Sequence, residues 1–222
     1  MKTFVALAIA GTALSAQAAI ITKWDFEASN LNPSIGAGTA SYVGGTTLSG
    51  FNSGNPAGST VAGWNIFTFK ASGTGNKTAG AQFAASTSGY QNIIVSWAHR
   101  HSNTSANTKV LQYTTDGTTW TDAQTYSFTP APTGTGDTWF YHSFDFSSIA
   151  GVNNNANFAV RVVAAFDSST GNYRASRSTS TYATTGTYRF DDVTFEGTAI
   201  PSSGSLALMG MGMAIAARRR RA

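Results

Sequence analysis

The chain has 222 residues, with 14 Lys and Arg against 10 Asp and Glu and no cysteine, which excludes disulfides, thiolate metal sites and cysteine nucleophiles. The net charge of +4 suggests a polyanion binder until the charges are located: Lys2, Arg218, Arg219, Arg220 and Arg221 are terminal, so residues 19–199 hold nine bases against all ten acids. A nucleic-acid groove needs Lys and Arg clustered on the folded body, so no nucleic-acid partner is expected.

Met1 and Lys2 precede an apolar run over 4–14 and then Ala16, Gln17 and Ala18. That order of charged, apolar and small residues predicts a signal helix over 1–18, read by the secretory translocon and cut by signal peptidase after Ala18 or Ala19. Charged residues are 11% of the chain against roughly 25% in ordinary soluble domains, so Gly, Ser, Thr and Asn must solvate the body. With 41% hydrophobic residues, 19–199 is long enough for one core and reads as one domain.

Short alternating runs separated by Gly, Asn, Asp and Pro predict strands over 93–101, 109–115, 138–146, 158–166 and 187–196, with weaker ones over 24–27, 63–69 and 81–84. Phe158, Val160, Val162, Ala164 and Phe166 share one face of their strand, as do Phe140, His142, Phe144 and Phe146 of theirs. Asp116-Gly117 between β-branched and aromatic residues predicts a hairpin turn. A near match there to the Asp-box of propellers lacks a residue and does not repeat. The segments 30–60 and 167–185, rich in small polar residues, read as loops. No helical periodicity intervenes, so the body is all-β, an antiparallel two-sheet sandwich of jelly-roll kind.

Chemistry-bearing residues are few. Trp24-Asp25-Phe26-Glu27 opens the mature chain and Phe190-Asp191-Asp192-Val193 closes the body. This pairing resembles galactose-binding-like and jelly-roll carbohydrate-binding modules, and the resemblance implies a structural calcium with Glu27 and Asp192 as ligands, against a plainer reading of solvated acids at strand ends. Asp25 with Glu27, or Asp191 with Asp192, would be the glycosidase pair of a secreted glycan-active hydrolase, the alternative function. Adjacent acids in a strand point to opposite faces, however, and no Gly-x-Ser-x-Gly elbow or phosphate loop accompanies them, so no catalytic residue is assigned. His99 and His101 would share a strand face as a two-nitrogen chelate, with His142 a third ligand; the plainer reading is surface or half-buried imidazoles. Trp64, Trp120, Trp139, Tyr141, Tyr173, Tyr182 and Tyr188 are candidates for stacking on sugars, or for the core.

The chain ends with Pro201, Ser202, Ser203 and Gly204, an apolar stretch to Ala217, and Arg218, Arg219, Arg220 and Arg221 as a basic stop. The stretch 204–217 is 14 residues, and counting from Ala199 gives 19, close to the roughly 20 that a spanning helix needs. The arginines would stay cytoplasmic and leave the body outside. This tail, 200–222, resembles the PEP-CTERM sorting signal of exopolysaccharide-producing Gram-negative bacteria, with Pro-Ser-Ser in place of Pro-Glu-Pro. The resemblance implies a membrane-anchored intermediate, an exosortase-like protease of variant type as partner, and delivery to the cell surface or extracellular matrix. The expected function is that of a non-enzymatic surface or matrix protein that binds exopolysaccharide.

Overall fold

A computed structural model describes residues 17–127 and 138–201. The predicted signal helix, save its last two residues, and the C-terminal helix lie outside the described residues, as do Ser202, Ser203, Gly204 and the four terminal arginines. Among the described residues no helix is long and apolar enough to cross a membrane.

The described chain forms β1 (Ala18–Trp24), β2 (Thr39–Val43), β3 (Thr47–Asn52), β4 (Gly63–Phe67), β5 (Gly80–Ala84), β6 (Tyr90–His101), β7 (Thr108–Thr114), β8 (Thr121–Ser127), β9 (Trp139–Asp145), β10 (Ala159–Ala165) and β11 (Tyr188–Ala199). They make two antiparallel sheets. Sheet A runs β3-β4-β11-β6-β9, with β1 also paired to β11, and sheet B runs β2-β5-β10-β7-β8. The all-β two-sheet sandwich expected from the alternation is therefore what the chain forms.

The alternation works as predicted in β10: Phe158, Val160, Val162 and Ala164 are buried in the core with Phe166 packed against them. Trp24, Phe26, Trp64, Phe83, Phe190 and Phe195 fill the centre between the sheets, their rings meeting at tilted or edge-to-face angles 5.5–6.1 Å apart. Such pairs add stability beyond the area they bury. The predicted hairpin joins β7 to β8. Asp116 Oδ1 accepts the N–H groups of Thr118 and Thr119, and Gly117 takes φ +79°.

Two expectations change. The strand expected over 24–27 ends at Trp24, because Phe26 and Ser29 adopt left-handed φ and the Ser29 N–H closes a turn on the Phe26 carbonyl. The strand in this region is β1, whose first three residues are exposed and whose other end, at Trp24, is buried. The loop expected over 30–60 contains β2 and β3. Their sequences, TASYV and TLSGFN, carry a weak apolar pattern and form strands through pairing with β5 and β4.

Candidate functional site

Asp191 and Asp192 do not point to opposite faces. The pairing of β11 with β6 shifts register between Asp191 and Thr194, and Asp192 takes φ +46°, a bulge that turns both carboxylates toward the same loop, residues 53–61. Asp191 Oδ2 accepts the Asn55 N–H at 2.7 Å. Asp192 Oδ2 accepts from Asn55 Nδ2 and the Ser59 N–H, and its Oδ1 from Ser59 Oγ. Glu27, at the end of the turn after β1, accepts the Val61 N–H. The loop passes so close that a Cβ on Gly58 would lie 2.1 Å from Asp192 Oδ2. Burial pushes the Asp191 carboxyl up to about 8, against the pull of its N–H donors. Burial also works to raise Asp192, but the Lys23 ammonium and the Ser59 and Asn55 donors outweigh it and hold that carboxyl below its ordinary value.

The sequence thus named two residues, Glu27 and Asp192, that the fold does bring to one loop. It did not foresee that Lys23 Nζ sits 2.7 Å from Asp192 Oδ1. A calcium ion needs six to eight oxygen ligands with lone pairs aimed at it. Here the Asp192 oxygens face N–H and O–H donors and an ammonium, and among the described residues no three His, Asp or Glu side chains converge as metal ligands. The donor set does not fit the expected calcium. For the hydrolase alternative, Asp191 is 0% exposed beneath the loop, so this pair does not face the open groove that glycosidic chemistry needs.

The histidines are interior. His99 and His101 point between the sheets and are buried, and His142 on β9 is half-buried beside them. The surface reading is corrected because β6 is the central partner of β11 and β9, with its odd-numbered side chains facing the core. His99 meets Tyr188 and Phe190 edge-on, and neither of its ring nitrogens has a hydrogen-bond partner among the described residues. His101 Nε2 lies 3.0 Å from Nζ of the buried Lys109, and its Nδ1 faces the Ala106 carbonyl. Burial, then the nearby Lys109, holds His99 and His101 well below their ordinary values, and lowers His142 to about 3. Burial likewise lowers Lys109. The imidazole rings spread along two strands, with His99 and His142 centred 6.3 Å apart, and they do not form a three-nitrogen chelate.

The aromatic candidates divide by position. Trp64, Tyr173 and Tyr188 are buried, and Tyr182 is half-buried and stacked on Tyr173. Trp120, Trp139 and Tyr141 reach the surface. Trp120 belongs to a site that sequence reasoning missed. Across the outer face of sheet B, strand pairing aligns Ser41, Gln82, Arg161, Gln112 and Asp122 in one row. Three of its members are bonded to one another: Arg161 Nε donates to Gln112 Oε1 and Gln112 Nε2 to Asp122 Oδ1, both at 2.6 Å, and Lys77 Nζ pairs with Asp122 Oδ2. The Arg161 guanidinium lies 4.2 Å from the Trp120 ring centroid, so the indole braces the row at one side. The next row is small, with Thr39, Ala84, Ala159 and Thr114 in register. Its low side chains floor an open cleft of about 450 Å³ that Gln82 and Asn157 border. The sequence signal for this site is the one polar residue in GAQFA and in AVRVVAA, Gln82 and Arg161, with Gln112 between the apolar residues of the neighbouring strand.

No family model matches the chain, and no curated protein matches it. Solved structures do resemble it. The CBM22-1–GH10 modules of endo-1,4-beta-D-xylanase 10B from Clostridium thermocellum, complexed with xylohexaose, superpose on 82% of this chain at 15% identity and a TM-score of 0.52. The CBM22-1–CBM22-2 tandem domain of Paenibacillus barcinonensis Xyn10C superposes on 89% at 15% identity and a TM-score of 0.50. This chain spans 29% of the first protein and 53% of the second, and the likeness is one of fold.

Proposed function

We propose that this is an exported, non-enzymatic surface or matrix protein whose jelly-roll sandwich binds an uncharged polysaccharide along the outer face of sheet B. The observation that carries the reading is the five-strand row of Ser41, Gln82, Arg161, Gln112 and Asp122 beside a cleft with a floor of small residues. Arg161, held by Gln112 and braced by Trp120, offers a preorganised guanidinium to sugar hydroxyls beside the Gln82 amide and the Ser41 hydroxyl, and the Trp120 indole supplies a flat apolar edge. The cleft lining of Thr39, Gln82, Ala84, Ser86, Asn157 and Ala159 carries no charge, and the charges of Lys77 and Asp122 compensate one another. The uncharged lining of the cleft favours a neutral chain over a uronate polymer. The structural relatives make xylohexaose a reasonable first probe.

Titration calorimetry with xylohexaose and with neutral and acidic polysaccharides tests the reading. Trp120→Ala and Arg161→Ala are each expected to weaken binding by tenfold or more, about 1.4 kcal/mol, while Tyr141→Ala on the opposite sheet leaves it unchanged. Binding to acidic polymers alone, or full affinity in Trp120→Ala, would sink it.

The termini supply the address in this proposal. The signal segment exports the chain, the tail holds it at the membrane, and an exosortase-like protease reads the Pro201, Ser202, Ser203 region and releases the body. Mass spectrometry of the mature protein is expected to find an N-terminus at Ala19 or Ile20 and no Arg218–Arg221 cluster. An intact chain recovered from the cytoplasm refutes this routing.

A further inference from the structure

We propose that Lys23 supplies from the first strand the cation that the Glu27, Asp191 and Asp192 cluster requires, so that the clamp between β1, β11 and the 53–61 loop closes without a metal ion. Three acids brought to one loop repel one another, and Asp191 is fully buried. Such a cluster persists when a cation or a proton compensates it. The cation is provided within the chain. Lys23 Nζ contacts Asp192 Oδ1 at 2.7 Å with the two side chains 26% and 16% exposed, a partly desolvated ion pair.

The position of Lys23 follows from the backbone. Its N–H donates to the Ile35 carbonyl and its own carbonyl accepts the Ser34 N–H, which tie it to the following loop, and it pairs with Thr194 of β11 next to the bulge. The ammonium is thus delivered by the strand that must be held, to the acid that holds the loop. Asp192 in turn binds Asn55 and Ser59, and Asn55 Oδ1 receives the Tyr141 hydroxyl, so one ion pair ties together β1, β9, β11 and the loop.

Calorimetric melting of the purified chain, with a calcium chelator and with excess calcium, tests this directly. The expected melting temperature is the same within about a degree in both, with less than stoichiometric metal after dialysis. A fall of several degrees with chelator, or one bound calcium per chain, overturns the proposal. Lys23→Met is expected to lower the melting temperature by several degrees, and Asp192→Asn to be less harmful in the Lys23→Met background than in the wild type. Additive losses in the two backgrounds overturn it as well. If Lys23→Met fails to fold, Lys23→Arg, which retains the cation, must melt near the wild type.

Discussion

Acidified from pH 7 to pH 4, the domain is expected to unfold. His99, His101 and His142 are held below the ordinary imidazole value by burial, so between about 6.5 and their folded values the unfolded chain binds protons that the folded chain refuses. Stability is then fully present above 6.5 and lost as the pH falls, a window that reaches down to about 3 for His142. Asp191 opposes this. Its raised carboxyl makes the folded chain the better proton binder from about 8 down to the ordinary carboxylate range, and it cancels one of the three histidines. Two net protons correspond to about 3 kcal/mol per pH unit, and Lys109, lowered by burial, adds in the same sense. Against a total stability of about 5–15 kcal/mol, a drop of two to three units suffices.

Far-ultraviolet dichroism and tryptophan fluorescence across pH 3–8 measure the effect. A domain that melts at the same temperature at pH 4 and pH 7 contradicts it. His99→Phe sharpens the test. The ring packs edge-on against Tyr188 and Phe190, so phenylalanine suits the space and removes two unsatisfied nitrogens. That variant should be more stable at neutral pH and lose about 1.4 kcal/mol less per pH unit on acidification.

The second large effect is at Trp64. It is 0% exposed at the centre of the sandwich and meets Tyr42, Phe26, Phe83 and Phe190, with ring centroids 5.1–6.1 Å away. Trp64→Ala removes the indole that spans both sheets and leaves a cavity that four fixed rings cannot close. A loss of about 3–5 kcal/mol is expected, against a total stability of about 5–15 kcal/mol. Urea unfolding should show a lower midpoint with an unchanged slope, because the surface exposed on unfolding is nearly the same. Trp64→Phe, which keeps a ring and removes the unpaired Nε1–H, should cost far less. A midpoint unmoved by Trp64→Ala would mean that the core is not organised around this residue.

Much of the architecture was legible in the chain. Alternation in 158–166 placed Phe158, Val160, Val162 and Ala164 on the core face, and Asp116-Gly117 marked the β7–β8 turn. Both signals are local: side chains alternate with period two, and a turn is specified by the residues that make it. TASYV and TLSGFN were not legible as strands, because Ala, Ser and Gly weaken their alternation and only pairing with β5 and β4 fixes them. The aromatic residues could be named but not sorted. Whether Trp64 or Trp120 is the surface ring depends on which sheet covers it, a fact absent from either local sequence.

Glu27 and Asp192 both bond the 53–61 loop, and what surrounds them there is set by features that no local sequence pattern carries. The bulge at Asp192 is a backbone distortion that turns two adjacent acids to one side, and the ammonium that meets them comes from Lys23, 169 positions earlier in the chain. The outer row of sheet B has the same origin. Gln82, Arg161 and Gln112 lie on three strands far apart in sequence, and only the strand register aligns them.

By itself, then, the amino-acid order determined a nearly neutral body, an all-β fold in the described residues, and the inner face of its stronger strands, because each of these depends on composition or on residues within a few positions of one another. The tertiary structure decided which acids meet, which cation compensates them, that three histidines face the core, and where a polar row crosses five strands. Those are properties of register, twist and bulge, and they arise only when segments that share no sequence neighbourhood are hydrogen-bonded side by side.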